Sequence, residues 1–533
     1  MIRELSGLRE DAAGLAQKLA RARYRRAAGL PAEAPLREML ATHRLAASKE
    51  GLAQAREALA DAEEEDPKRP GRIARLASLR DFLLRARATA LEPGAVQELW
   101  DLPARPLVRP PGDAGLHGAL PPVAVERELP LIRSRERRSE MESALATALQ
   151  PADSVRSAAW DAALEALDDL GPYALHARGW APPAAPETKV NDVHMREREV
   201  NDVHMREQEV NDVHIADEEV NAVHLAAERL LEGTDALAAD LGGWLLERHT
   251  GAKRGSAERH DILHLLHAPH CASAFPAGEM MRTVRRWTAM LRLDLDAKLD
   301  DDDRPLKAPG AWAELLDPPE VGITNSAQMG PRPLASLLGA ISVAQLRAGP
   351  PGDAPPEDLW FSDPAVPWAC RALLEGLIRE AEFLRRCARV ELPPDDQRAI
   401  AIAAVFDARH AAARTLSSLQ AHELGLGERA EQFHRDAFSR AMGADLPAGL
   451  ALRELDPWLA PFAELRGRAF AARARAFLRD RFDEDWWRNP RALPSLAGLW
   501  SRGGRPTLAE LWAELGGALS VDPLLEELAE ACR

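Results

Sequence analysis

Cysteine and long apolar runs are scarce in this chain, and each shortage excludes a class of protein. The 533 residues include four cysteines, and these form no Cys-x-x-Cys pair. This pattern predicts free thiols and a reducing, cytoplasmic location. No stretch approaches the roughly 18–20 uncharged apolar residues that cross a bilayer. The opening MIRELSGLRE also lacks the apolar segment of a signal peptide. We therefore expect a cytoplasmic protein without a membrane partner.

Positive charge is also in the minority. Lys and Arg number 68 against 84 Asp and Glu, which gives a net charge of −16 with histidine neutral. Nucleic-acid binding requires a clustered basic excess that neutralises phosphates. The two most basic stretches, 133–138 and 466–481, lie among acidic residues. We interpret them as solvated helix faces and expect no nucleic-acid partner.

Helix-forming residues, by contrast, are abundant. Ala, Leu, Arg and Glu recur throughout, whereas runs rich in Val, Ile or Thr are few. The sequence therefore predicts a mainly α chain. Pro- and Gly-rich stretches at 102–130, 181–186 and 349–367 interrupt the helical pattern. Residues 219–248 are predicted as one long amphipathic helix.

The most conspicuous pattern is a ten-residue unit that occurs four times: VNDVHMRERE, VNDVHMREQE, VNDVHIADEE and VNAVHLAAER. Its recurring valines and histidines are Val190, His194, Val200, His204, Val210, His214, Val220 and His224. On an α-helix, ten residues at about 100° each fall about 80° short of three full turns. The apolar stripe of each unit is therefore rotated around the helix axis relative to that of the unit before it. Acid–arginine spacings support a solvated helix nevertheless. We predict an exposed helix that continues into the helix after it.

Several roles are open to these repeats. Their histidines would lie about 15 Å apart along a helix, which is too far for one metal ion to bridge. The Arg196-Glu197 and Arg206-Glu207 steps would suit an Arg-directed protease. One hypothesis is thus a protease substrate or adaptor that presents residues 190–225. The first two copies differ only at Arg198 and Gln208, which favours a recent duplication without a role of its own.

Four segments carry a family resemblance. They are ERHDILHLLHAPHCASAFPAGEMMRTVRRWTAMLRLDL (258–295), PPEVGITNSAQMGPRPLASLLGA (318–340), VPWACRALLEGLIREAEFLRRC (366–387) and RFDEDWWRNPRALPSLAGLW (481–500). Together they resemble bacterial zinc metallopeptidases of the thimet oligopeptidase and oligoendopeptidase F family, over residues 220–515. The resemblance implies a large two-lobed helical body with a deep channel. It also implies a very small β element near 295–328.

The chain departs from this family at every catalytic position. The family holds zinc with a His-Glu-x-x-His helix, in which the glutamate is the general base. Here Ser336 and Ala340 stand where the histidines would be, and Leu337 replaces the base. Trp368 takes the place of the third ligand, and no tyrosine follows Tyr173 to stabilise an oxyanion. The resemblance therefore implies no catalytic residues and no zinc cofactor in this protein.

A relocated metal site is the rival hypothesis. His260, His264 and His267 are spaced i, i+4 and i+7, which places three imidazoles on one face of a helix. Such a face would suit a metal-dependent hydrolase. The alternative is that they are surface or cap histidines. A second candidate, His422-Glu423, has Leu426 where the second histidine is needed and is not a zinc motif.

The leading hypothesis is a catalytically inactive metallopeptidase-like protein that acts as a binding, regulatory or scaffold module. Its expected partner is a protein or peptide, and the sequence does not indicate an oligomeric state. Three regions are predicted: an N-terminal helical lobe (1–180) with a Pro-rich loop at 102–130, a Pro-rich linker with the repeats (181–224), and a C-terminal lobe that resembles a catalytic domain (225–533).

Overall fold

The computed structural model describes residues 2–65, 70–109, 119–169, 217–253, 255–295, 297–517 and 519–533. The chain is mainly helical, as predicted. The helices up to residue 250 are α1 (Ile2–Ala27), α2 (Leu36–Thr42), α3 (Lys49–Glu65), α4 (Pro70–Leu91), α5 (Pro93–Asp101), α6 (Pro122–Glu128), α7 (Arg135–Leu149), α8 (Asp153–Asp168), α9 (Asp217–Leu237) and α10 (Gly243–Thr250).

The helices that follow build most of the interior. They are α11 (Arg259–His267), α12 (Ala277–Leu291), α13 (Pro331–Ala348), α14 (Pro356–Trp360), α15 (Ala365–Glu375), α16 (Ala381–Phe383), α17 (Pro394–Leu424), α18 (Glu428–Met442), α19 (Ala448–Ala451), α20 (Ala460–Phe482), α21 (Leu493–Trp500), α22 (Leu508–Glu514) and α23 (Asp522–Ala531).

The small β element predicted near 295–328 is present. The strands of the described chain are β1 (Ala257–Glu258), β2 (Lys298–Asp300), β3 (Ala311–Asp317), β4 (Glu320–Asn325) and β5 (Ala444–Asp445). The order β2-β4-β3 forms one sheet, in which β4 runs parallel to β2 and antiparallel to β3. Ile323 of β4 lies opposite Leu299 and Ala313. This sheet packs against α13 and so places the start of β3 beside that helix.

Helix α13 is the most deeply buried part of this region. Leu334, Leu337, Leu338 and Ile341 are almost completely shielded from solvent, which explains the continuous apolar run in the sequence. Proline near the first turn suits a helix start, because the N–H it lacks would have no partner within the helix.

Helices α15 and α20 approach each other closely at Gly467. A Cβ on this glycine would lie 2.6 Å from both the Ala369 nitrogen and the Trp368 Cβ. Glycine is therefore required at this position by the close approach of the two helices. This contact fixes the position of α15, which carries Trp368.

The long helix predicted at 219–248 is observed with one irregularity. Helix α9 continues through a π-helical segment, Ala238–Gly242, into α10. The fourth repeat unit lies within α9, where Val220 is helical and His224 is exposed. The other repeat positions, Val190, His194, Val200, His204, Val210 and His214, lie outside the described residues.

Part of the Pro-rich stretch 102–130 folds differently from the predicted loop. Residues Pro122–Glu128 form helix α6, which buries Val123 and Val125. Proline at the start of a helix has a favourable φ, so the composition that indicated a loop is compatible with a short helix. Val108 and Leu120 pair in an isolated antiparallel bridge. The loop prediction is thus wrong for the α6 segment.

The two basic stretches are not simply solvated helix faces. Arg138 is buried and pairs with Asp261 at 2.9 Å. Arg466 and Arg475 are buried as well, and their carboxylate partners are Asp363 and Glu527. These partners are distant in sequence, so each stretch looks exposed when it is read alone. Burial of an arginine is tolerated here because a carboxylate compensates its charge.

The cysteines are free and buried, in agreement with the sequence. Cys370, predicted as a small core residue, has no exposed surface, and burial raises the pKa of its thiol to about 12. None of the helices in the described ranges combines the length and the low polarity that a transbilayer span requires.

Candidate functional site

A cavity of about 310 Å³ lies between α13, α15, α17 and α20, and α23 forms its end wall. One part of its lining is apolar and includes Leu266, Ile378, Ile400, Leu524 and Leu528. The other part is densely charged. Cavities of this kind, apolar with a few converging polar groups, are the usual form of small-ligand sites.

The structure brings two of the four predicted zinc-site positions to this cavity. Ser336 from α13 and Trp368 from α15 both line it. Leu337 and Ala340 are instead fully buried and do not belong to its lining. The positions predicted for the first and third zinc ligands, Ser336 and Trp368, therefore line one cavity. The positions predicted for the base and the second ligand, Leu337 and Ala340, pack into the core instead.

Ser336 is held by neighbouring groups. Its Oγ accepts hydrogen bonds from the backbone N–H of Ala311 and from Nη2 of Arg371, each at 2.8 Å. Nη1 of Arg371 also donates to the carbonyl of Ala311 at 3.2 Å, and its Nε is 2.7 Å from Glu375 Oε1. The position predicted for a zinc ligand is thus occupied by a neutral hydroxyl that is hydrogen-bonded to a cation.

Six arginines line the cavity: Arg332, Arg371, Arg379, Arg414, Arg468 and Arg475. Four carboxylates accompany them: Glu375, Asp407, Glu464 and Glu527. Lysine is not part of the lining. Six positive minus four negative groups leave two positive charges, with histidine counted as neutral. A Zn²⁺ ion would meet repulsion at this surface.

The charged groups form ion pairs, some between two helices and some within one helix. Arg332 of α13 is 2.9 Å from Asp407 of α17, whereas Arg468 is 2.7 Å from Glu464 on the same helix, α20. Arg414 is less closely paired, because its Nη1 lies 4.0 Å from Glu464.

The opposite end of the cavity has one acid for two arginines. Glu527 of α23 lies 2.6 Å from Arg475 and 2.5 Å from Arg379. Burial alone would raise the pKa of Glu527, but these two guanidinium groups outweigh it and lower that pKa to about 2. For Arg379 burial has the larger effect, and its pKa lies below the ordinary value despite the shared carboxylate.

A chain of hydrogen bonds leads from the cavity into the core. His410 lines the cavity, and its Nε2 is 2.6 Å from Oε2 of Glu454. The same oxygen is 3.2 Å from Nε2 of buried His434, whose Nδ1 is 3.0 Å from Ser417 Oγ. Burial would raise the pKa of Glu454, but the two histidines hold it well below its usual value. The carboxylate fixes the orientation of the His410 ring.

The three histidines of the rival hypothesis have separate partners. His260 Nε2 contacts Glu258 at 2.9 Å, His264 Nδ1 contacts the Pro130 carbonyl at 2.8 Å, and His267 Nδ1 contacts the Leu263 carbonyl at 3.3 Å. His260 and His264 are buried, so they are not surface histidines. Burial is the first cause that lowers the pKa of His264 to about 4 and that of His267 to about 3.

Within the described ranges, one set of three His, Cys, Asp or Glu side chains has metal-ligand spacing: Glu142, Glu258 and His260. Neither His264 nor His267 belongs to it. Its carboxylates are already engaged, because Glu142 is 3.0 Å from Arg259 and also accepts from the His260 backbone N–H at 3.1 Å. These contacts explain the group as part of an ion-pair network.

His422 is also a structural residue. It is buried, and its Nε2 lies 3.0 Å from the Pro457 carbonyl. Its ring contacts Trp160, with ring centroids 5.3 Å apart. These contacts account for His422 as a residue of the packed interior.

The arginines and His410 of the cavity were not predicted from the sequence. A local signal exists, because Arg371 and Glu375, like Glu464 and Arg468, are spaced i, i+4. The face shared by residues 407, 410 and 414 on α17 is a further signal. Such pairs are common on solvated helices. They indicate a charged cavity only when the packing of the four helices is known.

The residues at the predicted zinc positions do not fit zinc. A zinc site of this fold would need imidazole and carboxylate donors that converge on one point. Ser336 offers one hydroxyl already bound to Arg371, and the Trp368 side chain has no acceptor atom. Ser336 and Trp368 therefore offer no converging set of zinc donors.

No protein-family model and no curated protein matches this chain. Solved structures do match. A protein assigned as oligoendopeptidase F in Bacillus anthracis has a TM-score of 0.56 and 12% identity, covering 90% of this chain and 82% of its own. Another protein assigned as oligoendopeptidase F has a TM-score of 0.59 and 10% identity, covering 100% and 96%. The carboxypeptidase of Pyrococcus furiosus has a TM-score of 0.53 and 11% identity, covering 100% and 98%. The chain therefore has the helical metallopeptidase fold.

Proposed function

We propose that this protein is a non-catalytic member of the helical metallopeptidase fold, and that its interior cavity binds a ligand without hydrolysing it. The observation that carries the proposal is the contact between Ser336 and Arg371. At the position where the resemblance predicts the first zinc ligand, a hydroxyl accepts a hydrogen bond from a guanidinium group at 2.8 Å.

Electrostatics support the absence of a metal from the cavity. Six arginines against four carboxylates give a positive surface, and the low dielectric of a buried site strengthens its repulsion of Zn²⁺. Zinc-dependent peptidases need the ion to activate water and to polarise the carbonyl. The cavity lining has one imidazole, His410, whose Nε2 is bonded to Glu454, so a pair of histidine donors for such an ion is missing from that lining.

Two other hypotheses have less support. A hydrolase with a metal on His260, His264 and His267 would need the three rings to converge, but they have three separate hydrogen-bond partners. A substrate or adaptor role for the repeats concerns residues that lie largely outside the described ranges. Regulatory or scaffold binding of a protein or peptide partner remains part of the proposal.

Metal content and peptidase activity together test the proposal. We expect full-length protein purified from zinc-supplemented medium to contain well under one zinc per chain. We also expect no chelator-sensitive cleavage of quenched fluorogenic peptides. One tightly bound zinc per chain, together with hydrolysis that a chelator abolishes, would overturn the proposal. The double variant H264Q/H267Q serves as a control, because loss of metal and of activity in it would support the relocated site.

A further inference from the structure

Another cavity, of about 580 Å³, lies where α4, α5 and α8 meet the segment between α19 and α20. It has no lining residue in common with the cavity at Ser336. The chain around Glu454 borders both cavities: the neighbouring Leu455 lines this one, whereas the Glu454 carbonyl accepts a hydrogen bond at 2.9 Å from Arg414, which lines the other. Cavities of this volume are typical small-ligand sites.

Three tryptophans from distant segments of the chain line this cavity, which is termed here the tryptophan cavity. They are Trp100 of α5, Trp160 of α8 and Trp458, which lies just before α20. Trp160 is 2% exposed, whereas Trp100 and Trp458 are half-buried. The uncovered parts of these two indoles are available to contact an aromatic ring, by offset stacking or edge to face. The shape and chemistry of the wall therefore favour a planar aromatic ligand.

Hydrogen bonds fix the turn that carries Trp458. The Asp456 carboxylate accepts from the Trp458 backbone N–H at 2.8 Å, and the Asp456 N–H donates to Ser418 Oγ at 3.1 Å. The Pro457 carbonyl accepts from Nε2 of buried His422 at 3.0 Å. Because this turn is already ordered, a ligand that packs on Trp458 pays little entropy for ordering it.

The positive groups of the tryptophan cavity have partners within the protein. The pairs are Arg453 with Glu126, Arg156 with Asp153, Arg26 with the nearby carboxylate of Asp101, and Arg85 with the ring of Trp458. A charged ligand would lose its hydration and would have to compete with these contacts for compensation. The lining therefore suits a neutral ligand.

The indole N–H of Trp160 is an unsatisfied donor at the wall of the tryptophan cavity. Nε1 of Trp160 is buried and has no hydrogen-bond acceptor among the residues that the structure describes. The ring packs against His422 instead, with ring centroids 5.3 Å apart. A buried tryptophan N–H normally has an acceptor, and leaving it without one is unfavourable. An acceptor atom on the ligand would satisfy this donor.

We infer that the tryptophan cavity binds a small, neutral aromatic nitrogen heterocycle. Trp100 and Trp458 contact its ring, and the indole N–H of Trp160 donates to its nitrogen. The inference goes beyond the proposed function, because it concerns a cavity that has no lining residue in common with the vestigial zinc position.

Equilibrium dialysis of the full-length protein at neutral pH tests the inference with three probes of one shape. Quinoline is uncharged and has one acceptor nitrogen, naphthalene has no acceptor, and N-methylquinolinium carries a positive charge. We expect quinoline to bind saturably at one site per chain, naphthalene to bind about three- to tenfold more weakly, and N-methylquinolinium not to bind. Absence of quinoline binding, or an affinity for either analogue equal to that for quinoline, would overturn the inference.

Variants of the half-buried tryptophans locate the binding. Trp458→Ala and Trp100→Ala should each weaken quinoline binding by about three- to tenfold, because each removes an aromatic contact. The matched control is Trp244→Ala on α10. Trp244 is 43% exposed and lies under Arg248, with 5.0 Å from the guanidinium carbon to the ring centre, but it does not line the cavity. A loss in Trp244→Ala equal to that in Trp458→Ala would contradict binding in the tryptophan cavity.

Trp160→Phe tests the donor while it keeps an aromatic ring at the wall. We expect the preference for quinoline over naphthalene to disappear in this variant, whatever the change in overall affinity. A preference equal to that of the wild type would contradict the hydrogen bond from Trp160. If Trp160→Phe fails to fold, the wild-type comparison of the three probes and the two alanine variants still decide the inference. Zinc-dependent hydrolysis would remove the proposed function alone, whereas failure of quinoline to bind would remove this inference alone.

Discussion

Nη2 of Arg371 donates a hydrogen bond to Oγ of Ser336 at 2.8 Å, across the contact between α15 and α13. The same hydroxyl accepts from the backbone N–H of Ala311, which has no exposed surface. One serine thus joins the sheet, α13 and α15 at the wall of the cavity. Its hydroxyl links strand β3, α13 and α15 through these hydrogen bonds.

Ser336→Ala should therefore destabilise the fold. It leaves the Ala311 N–H and one Arg371 N–H without an acceptor, which costs about 1–3 kcal/mol. Urea denaturation followed by circular dichroism measures the change. Ser6→Ala is the control, because Ser6 bonds only to exposed Glu10, and it should change stability by less than about 0.5 kcal/mol. Equal effects of the two substitutions would show that the hydrogen bonds of Ser336 do not contribute to stability.

Gly467→Ala should separate α15 from α20. The added Cβ would lie 2.6 Å from the Ala369 nitrogen, and backbone atoms cannot move aside as a flexible side chain does. We expect a loss of about 1–3 kcal/mol in unfolding free energy. Gly498→Ala on α21 is the control, since no atom lies within 4 Å of its Cβ position and alanine favours the helix. An unchanged melting temperature for Gly467→Ala would contradict the close approach.

Glu527 should make the fold sensitive to acid. Its pKa is lowered from 4.5 to about 2, so its stabilising contribution is complete above about pH 4.5 and is lost as pH falls towards 2. Glu527→Gln leaves Arg475 and Arg379 without a counter-charge and should cost about 3–5 kcal/mol at neutral pH. The variant should also lose part of the pH dependence between 4.5 and 2.

Chemical denaturation at several pH values measures both effects. Glu530→Gln on the same helix is the control, because Glu530 is exposed. A pH profile of Glu527→Gln that parallels the wild type would argue against the ion pairs as the source of acid sensitivity.

His264 should remain neutral well below the ordinary histidine range. Burial and then the nearby Arg138 lower its pKa from 6.5 to about 4. The unfolded chain binds this proton more readily than the folded chain. The free energy of unfolding therefore decreases as pH falls from 6.5 to 4. The C2-proton resonance that His264→Gln removes should titrate near pH 4. Titration at or above 6.5 would mean that the ring is solvated.

The sequence predicts much of the fold but little of the cavity. The apolar run of α13 and the small β element near 295–328 follow from local pattern and resemblance. The arginines do not, because Arg332, Arg414 and Arg468 meet only after helices far apart in sequence have packed. Arg475 lies in a stretch that we expected to be solvated, and its partner Glu527 is 52 residues away. The partner that makes burial of such an arginine possible is distant in sequence. The residues next to the arginine therefore do not indicate that it is buried.

Anomalous diffraction at the zinc edge tests the central claim most directly. Crystals of the full-length protein grown with equimolar zinc should show no anomalous peak in the cavity between Ser336, Trp368 and Arg371. The measurement also reports any zinc held near His260, His264 and His267. A peak of full occupancy within bonding distance of Ser336 would contradict the account, because it would mean that the cavity holds the metal despite its arginines.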